Sequence, residues 1–122
     1  MIKIIISTDS GKPIYQQLFD QISAQIINGE LACDQMLPSI RTVAKELRIS
    51  VITVKKAWEQ LERSGFIYSM VGKGCFISKL SKSQLAQKQK AMATHKIALD
   101  IKYYKQLGLS LSDIIDLVEE QY

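Results

Sequence analysis

Arg41, Lys55, Lys56 and Lys73 are the residues of this 122-residue chain best placed to do chemistry, and that chemistry is recognition of a polyanion. A guanidinium at Arg41 can fork onto a guanine edge or a phosphate. Lys55 and Lys56 can reach and neutralise phosphates or meet a guanine. Ser39 and Ser50 can donate to phosphate oxygens. Thr53 can hydrogen-bond a base or lay its methyl on a thymine, and Val51 can meet a thymine methyl. Lys73 sits between Gly72 and Gly74, at a tip slim enough to enter a minor groove.

These side chains need a scaffold, and the apolar spacing supplies one. Ile14, Leu18, Ile22 and Ile26 recur every four residues and predict a first helix, with Pro13 at its first position and Asn28-Gly29 at its end. Ser39 is placed to cap a second helix whose inner side is Ile40, Val43, Ala44 and Leu47. Ser50 is placed to cap a third, with Val54, Ala57, Trp58 and Leu61 buried, Val51, Ile52, Thr53, Lys55 and Lys56 exposed, and Gly65 closing it. Two short helices joined by about three residues form a helix-turn-helix, whose second member lies in the DNA major groove. Residues 66–71 and 75–78 flank Gly72-Lys73-Gly74 and predict a β-hairpin. Ile2–Ile6, rich in β-branched residues, predicts a further short strand.

Charge follows the same division. The chain carries a net +4, but residues 39–79 hold eight Lys/Arg against three Glu, residues 80–105 hold six Lys against Asp100, and the last 17 residues hold four acids and no base. A basic middle fits a polyanionic partner. The Lys-rich run from 80 to 105, taken alone, reads as a solvated helix face. No apolar run approaches a membrane span, and the N-terminus lacks a signal-peptide pattern, so a cytoplasmic protein is expected. Cys33 and Cys75 have no metal-ligand spacing and read as free thiols, with Cys75 a buried structural one. His95 has no ligand partner nearby and reads as a surface residue. No paired carboxylates, nucleophile–base motif or phosphate-cradling glycine loop suggests an enzyme, and no cofactor or metal is expected.

The stretch from Pro13 to Ser78 resembles the winged-helix domain of the GntR family of bacterial transcription regulators. The resemblance rests on LPS-x-R-x-V-A at Leu37–Ala44, S-x-x-TV-x-x-A at Ser50–Ala57, L-x-x-x-G-F-I at Leu61–Ile67 and GKG-x-F at Gly72–Phe76. It implies that Arg41 and Lys55 contact DNA and that Gly72 shapes the wing. Val51 stands where the family often carries arginine, so a bidentate guanine reader is absent there.

Residues 81 to about 106 lack Gly and Pro and predict one long helix with an imperfect stripe of Leu85, Met92, Ile97, Ile101 and Tyr104. Ser110, with Asp113 three residues on, starts a last helix whose stripe is Leu111, Ile114, Ile115 and Val118. This tail resembles the YtrA-type branch of the family. Two helices do not by themselves enclose a pocket of about 300 Å³, so they read as an arm for a second copy. Tyr103 and Tyr104 read as interface aromatics, with an effector site between subunits as the other reading. The expected architecture is mainly α with a small β-hairpin: a winged helix-turn-helix domain over residues 1–79, then a two-helix dimerisation arm over 80–122. The expected function is a sequence-specific DNA-binding regulator, a repressor that binds a palindromic operator as a homodimer, with any small-molecule effector unknown. The alternative is a winged-helix module for protein–protein contact.

Overall fold

The computed structural model describes residues 2–122. It contains α1 (Ile14–Ile27), α2 (Ile40–Leu47), α3 (Val51–Arg63), β1 (Ile67–Met70), β2 (Gly74–Ile77), α4 (Lys82–Gln106) and α5 (Leu111–Gln121). Contacts divide the chain into two compact units, one ending at Lys82 and the other Ser83–Tyr122. The first is a winged helix-turn-helix and the second a pair of helices.

In the first unit α3 is the hub, packed by α1, α2 and β1. The spacing of Val54, Ala57, Trp58 and Leu61 places all four on one side of α3, and all four are buried. Leu18, Ile22 and Ile26 of α1, Val43 and Ala44 of α2, and Phe66, Ile67 and Ile77 at the hairpin close the core around them. Each large apolar side chain buried this way contributes about 1.5–3 kcal/mol. Phe66 meets Phe19 edge-on, with ring centroids 6.0 Å apart. The one fully buried hydroxyl in α1, Ser23, donates to the Phe19 carbonyl at 2.7 Å, so its burial leaves no polar group unmet.

Helix ends follow local chemistry. Ser39 Oγ accepts the Thr42 amide and Ser50 Oγ accepts the Thr53 amide, each at 3.1 Å. Pro13 is the cap residue of α1 rather than its first helical residue: its backbone is extended (ψ 146°), and its carbonyl accepts the Gln16 and Gln17 amides. α2 ends without a glycine. Arg48 takes the left-handed conformation (φ 56°), and the Ile49 amide returns to the Ala44 carbonyl at 3.0 Å. That reversal makes the helix-turn-helix corner.

The expected strand at Ile2–Ile6 does not form. The segment runs along α1 without a strand partner, and glutamine side chains take the place of one. Gln25 Nε2 donates to the Lys3 carbonyl at 2.7 Å; Gln21 accepts from and donates to the Ile5 backbone at 2.9 and 2.6 Å. Gln17 does the same for Ser7 at 2.8 and 2.7 Å. Three glutamines four apart on a helix span about 6 Å per step, close to the two-residue repeat of an extended chain of about 6.6 Å. The β-branched composition therefore produced an extended backbone, while the hydrogen bonds came from a helix.

The hairpin is antiparallel, with Ile67 opposite Ile77 and Met70 opposite Gly74. The connection before α2 lines the outer edge of β2. The Asp34 amide donates to the Ile77 carbonyl at 2.7 Å, Ile77 to Gln35 at 2.9 Å, and Leu37 to Cys75 at 2.9 Å. Tyr68 stacks on Phe76 and donates its hydroxyl to Asp34 Oδ1 at 2.8 Å, which raises the phenol pKa above its ordinary value. The wing is thus tied to the chain segment that leads into α2. Cys75 is half-buried rather than buried, with the Ser69 hydroxyl 3.5 Å from its sulfur, and Cys33 is exposed.

In the second unit, Ser110 and Asp113 form a reciprocal capping box at the start of α5. The Ser110 amide donates to the Asp113 carboxylate at 2.9 Å, and this bond holds the carboxyl pKa below its usual value. Neither α4 nor α5 has a buried residue, and Leu99, Tyr103, Leu107, Leu111, Ile115 and Val118 are exposed. Tyr104, Ile114, Leu117, Val118, Gln121 and Tyr122 line an apolar groove of about 470 Å³ that is open rather than enclosed. Two helices form a groove of ligand size here, but they do not close it. No helix among the described residues is long and apolar enough to cross a membrane.

Candidate nucleic-acid interface

The candidate interface is built by three elements held in fixed relation by the core of the first unit. α2 brings Ser39 and Arg41, α3 brings Ser50 to Lys56, and the hairpin tip brings Gly72 and Lys73. Arg41 and Lys73 are 32 positions apart in sequence and line one open cleft of about 310 Å³ with Pro38, Ile40, Trp58 and Cys75. The tertiary fold therefore brings a helix cation and a wing cation to the same opening. Neither has an ion-pair partner among the described residues, and neither does Lys55. Among the described residues Arg41 makes no ion pair with Glu46, the acid one turn and a residue further along α2, so a purely structural use of the arginine is not seen.

The wing tip is a tight reversal closed by the Lys73 amide on the Met70 carbonyl at 2.9 Å. Gly72 (φ 75°) and Gly74 (φ 119°) occupy backbone conformations that a side chain strains. Their glycines hold Lys73 at the end of a narrow projection with open space around it.

The hydroxyls at the two helix starts are already engaged. Ser39 Oγ donates to Thr42 Oγ1 at 2.8 Å, and the Ser50 and Thr53 hydroxyls are 2.7 Å apart. The Ser39 proton is spent on Thr42, the Ser50–Thr53 pair keeps one proton for an incoming acceptor, and the first role of these hydroxyls is to cap. Val51 is exposed and Thr53 half-exposed. Lys56 is exposed yet not free: its ammonium sits 3.9 Å from the centre of the Tyr15 ring of α1. Nothing in the spacing of the sequence links Tyr15 to Lys56. Ile52, which the sequence places among the exposed residues of the third helix without a contact role, is at 78% exposure the most solvent-exposed apolar side chain of α3. Its place two residues after the Ser50 cap was the available signal.

The arrangement can seat α3 in a groove about 12 Å wide, with Arg41 and Lys73 at one opening beside it and Lys55 and Lys56 on the helix itself. Among the described residues no cluster of His, Cys, Asp or Glu could hold a metal.

Comparison with known proteins gives the same picture. Residues 14–77 match the model of "Bacterial regulatory proteins, gntR family". The chain is 42% identical over 82 residues to the HTH-type transcriptional repressor NagR of Bacillus subtilis, covering 67% of this chain and 34% of NagR. It is 29% identical over 117 residues to the repressor YtrA of the same organism, covering 96% of this chain and 90% of YtrA. Among solved structures, a transcriptional antiterminator from Listeria monocytogenes superposes with a TM-score of 0.77 at 31% identity, covering 98% of this chain and 90% of that one. A GntR family transcriptional regulator from the same organism gives 0.73 at 28%, covering 92% and 97%. The DNA-binding domain of AraR in complex with operator ORX1 gives 0.55 at 26%, covering 63% of this chain and 96% of that one. The matched span includes all the helix-turn-helix and wing residues described above, and the chain is a DNA-binding transcription regulator that belongs to the gntR family, in its YtrA-type branch.

Proposed function

We propose that the protein represses transcription by docking α3 in the major groove of a palindromic operator, as a homodimer joined through residues 80–122. The observation that carries the DNA contact is the shared cleft of Arg41 and Lys73, two unpaired cations supplied by different elements. Arg41 reads a guanine or clamps a phosphate; Lys55, Lys56 and Lys73 neutralise phosphates, with Lys56 steadied on Tyr15. Ser39, Ser50 and Thr53 add hydroxyl contacts at the helix starts, Val51 offers a methyl surface, and Gly72 lets the wing approach closely.

The dimer reading is supported by the arm, where both helices keep apolar stripes out in the open. A second copy covering them gives two α3 helices related by a two-fold axis, which calls for two half-sites separated by whole turns of DNA. The names of NagR and YtrA support repression.

The test is Arg41→Ala. Loss of a bidentate contact costs about 1–3 kcal/mol, or roughly 5- to 150-fold in affinity per half-site. Arg41 is exposed, so the variant keeps the wild-type melting curve. Unchanged operator affinity removes the role assigned to Arg41.

A further inference from the structure

The first turn of α3 presents two branched aliphatic side chains to solvent at the place where a recognition helix meets base edges. At about 100° per residue, Ile52 projects away from the core face formed by Val54, Ala57, Trp58 and Leu61, and Val51 lies on the flank, one turn before Lys55. Val51 is 48% exposed and Ile52 78%. Their polar neighbours Ser50 and Thr53 have turned their hydroxyls on each other and on the helix amide. Two branched aliphatic side chains are thus left standing in solvent on the surface that faces DNA.

We propose that Val51 and Ile52 are a pair of thymine-methyl readers, and that each half-site carries two thymines beneath them. This rests on the DNA-binding reading above and names the chemistry of what that site prefers. In the major groove thymine alone among the four bases offers an apolar C5-methyl. The same surface disfavours guanine and cytosine, because an aliphatic group pressed on O6 or N4 strips water from a polar atom and returns no hydrogen bond. Neighbouring helix residues are about 3.8 Å apart at Cα and base steps about 3.4 Å along a strand, so two side chains on the same turn can address two bases. Ile52, the more exposed of the two, is a specificity-determining residue in this scheme, and the lysines beside it supply affinity without sequence preference.

The test begins with the full-length chain and a random-sequence duplex pool. The tightest duplex selected is resynthesised with each thymine replaced singly by deoxyuridine, which removes only the methyl group. Burial of one methyl corresponds to about a fourfold change in affinity. Two positions per half-site are expected to lose about fourfold each with the wild-type chain and about fifteenfold together. Val51→Ala is expected to abolish one of these losses and Ile52→Ala the other. Both variants leave the core face of α3 intact, and an unchanged far-UV circular dichroism spectrum accompanies the binding data. The inference is overturned if no thymine is sensitive to demethylation, or if the losses persist in both variants, which assigns the methyl effect to duplex shape. A pool that yields a preferred sequence without methyl sensitivity sinks this inference alone; a pool that yields no bound duplex sinks the DNA-binding reading with it.

Discussion

Removal of the wing-tip charge tests the cleft most directly. Lys73 lies between two glycines in a turn closed by backbone atoms, so Lys73→Gln removes one positive charge and leaves the hairpin register untouched. Each cation that neutralises a phosphate contributes about −0.9 to the slope of log affinity against log salt. Arg41, Lys55 and Lys73 are unpaired among the described residues, which sets a slope of about −2.7 per half-site for these three and about −1.8 for the variant. Between about 50 and about 200 mM salt the three cations account for a loss of about 40-fold in affinity, and two of them for about 12-fold. Other basic groups on the same face add equally to both slopes, so the difference of about 0.9 stands whatever their number. Fluorescence anisotropy of a labelled duplex, titrated at several salt concentrations with each protein, measures it. Coincident slopes would mean that Lys73 meets no phosphate and that the wing does not grip DNA.

Three further outcomes follow from the structure. Gln17→Ala removes four hydrogen bonds, to the amide and carbonyl of Ser7, to Ser10 and to the Lys12 carbonyl; urea unfolding is expected to show a loss of about 2–4 kcal/mol, and a loss within error of zero would mean the N-terminal segment contributes nothing. Because the Asp113 carboxyl is held below its usual pKa by the Ser110 amide, its stabilisation of α5 is complete above the ordinary carboxylate range and is lost as pH falls through the lowered value. Amide chemical shifts at Ser110 should report that loss in acid and not in Asp113→Ala; a flat profile in the wild type would contradict the capping role. Truncation after Leu80 should convert a dimer to a monomer by sedimentation equilibrium, and a surviving dimer would place the interface elsewhere.

Much of the site was legible because its pieces are local. A serine three residues ahead of the amide it accepts, as at Ser39 and Ser50, is a short-range bond that any chain with that spacing can make. The buried face of α3 is likewise written in the recurrence of Val54, Ala57, Trp58 and Leu61. The errors also have physical causes. β-branched residues at Ile2–Ile6 favour extended backbone, but extension does not specify what pairs with it, and the glutamines that do so lie at positions 17, 21 and 25. The first-helix expectation for Pro13 differs by one position, because its extended backbone leaves it outside the helix while its carbonyl accepts the Gln16 and Gln17 amides.

The order of helices and hairpin, the two serine caps, the glycine-flanked lysine and the basic centre of the chain were decided by the sequence alone, since each depends on residues within a few positions of one another. The tertiary structure decided which of these distant pieces meet. Arg41 and Lys73 share a cleft, Lys56 rests on Tyr15, and Asp34 holds the wing through Tyr68. Such contacts depend on how the core of α1, α2, α3 and the hairpin closes, and that closure is a property of the packed interior rather than of any local run of residues.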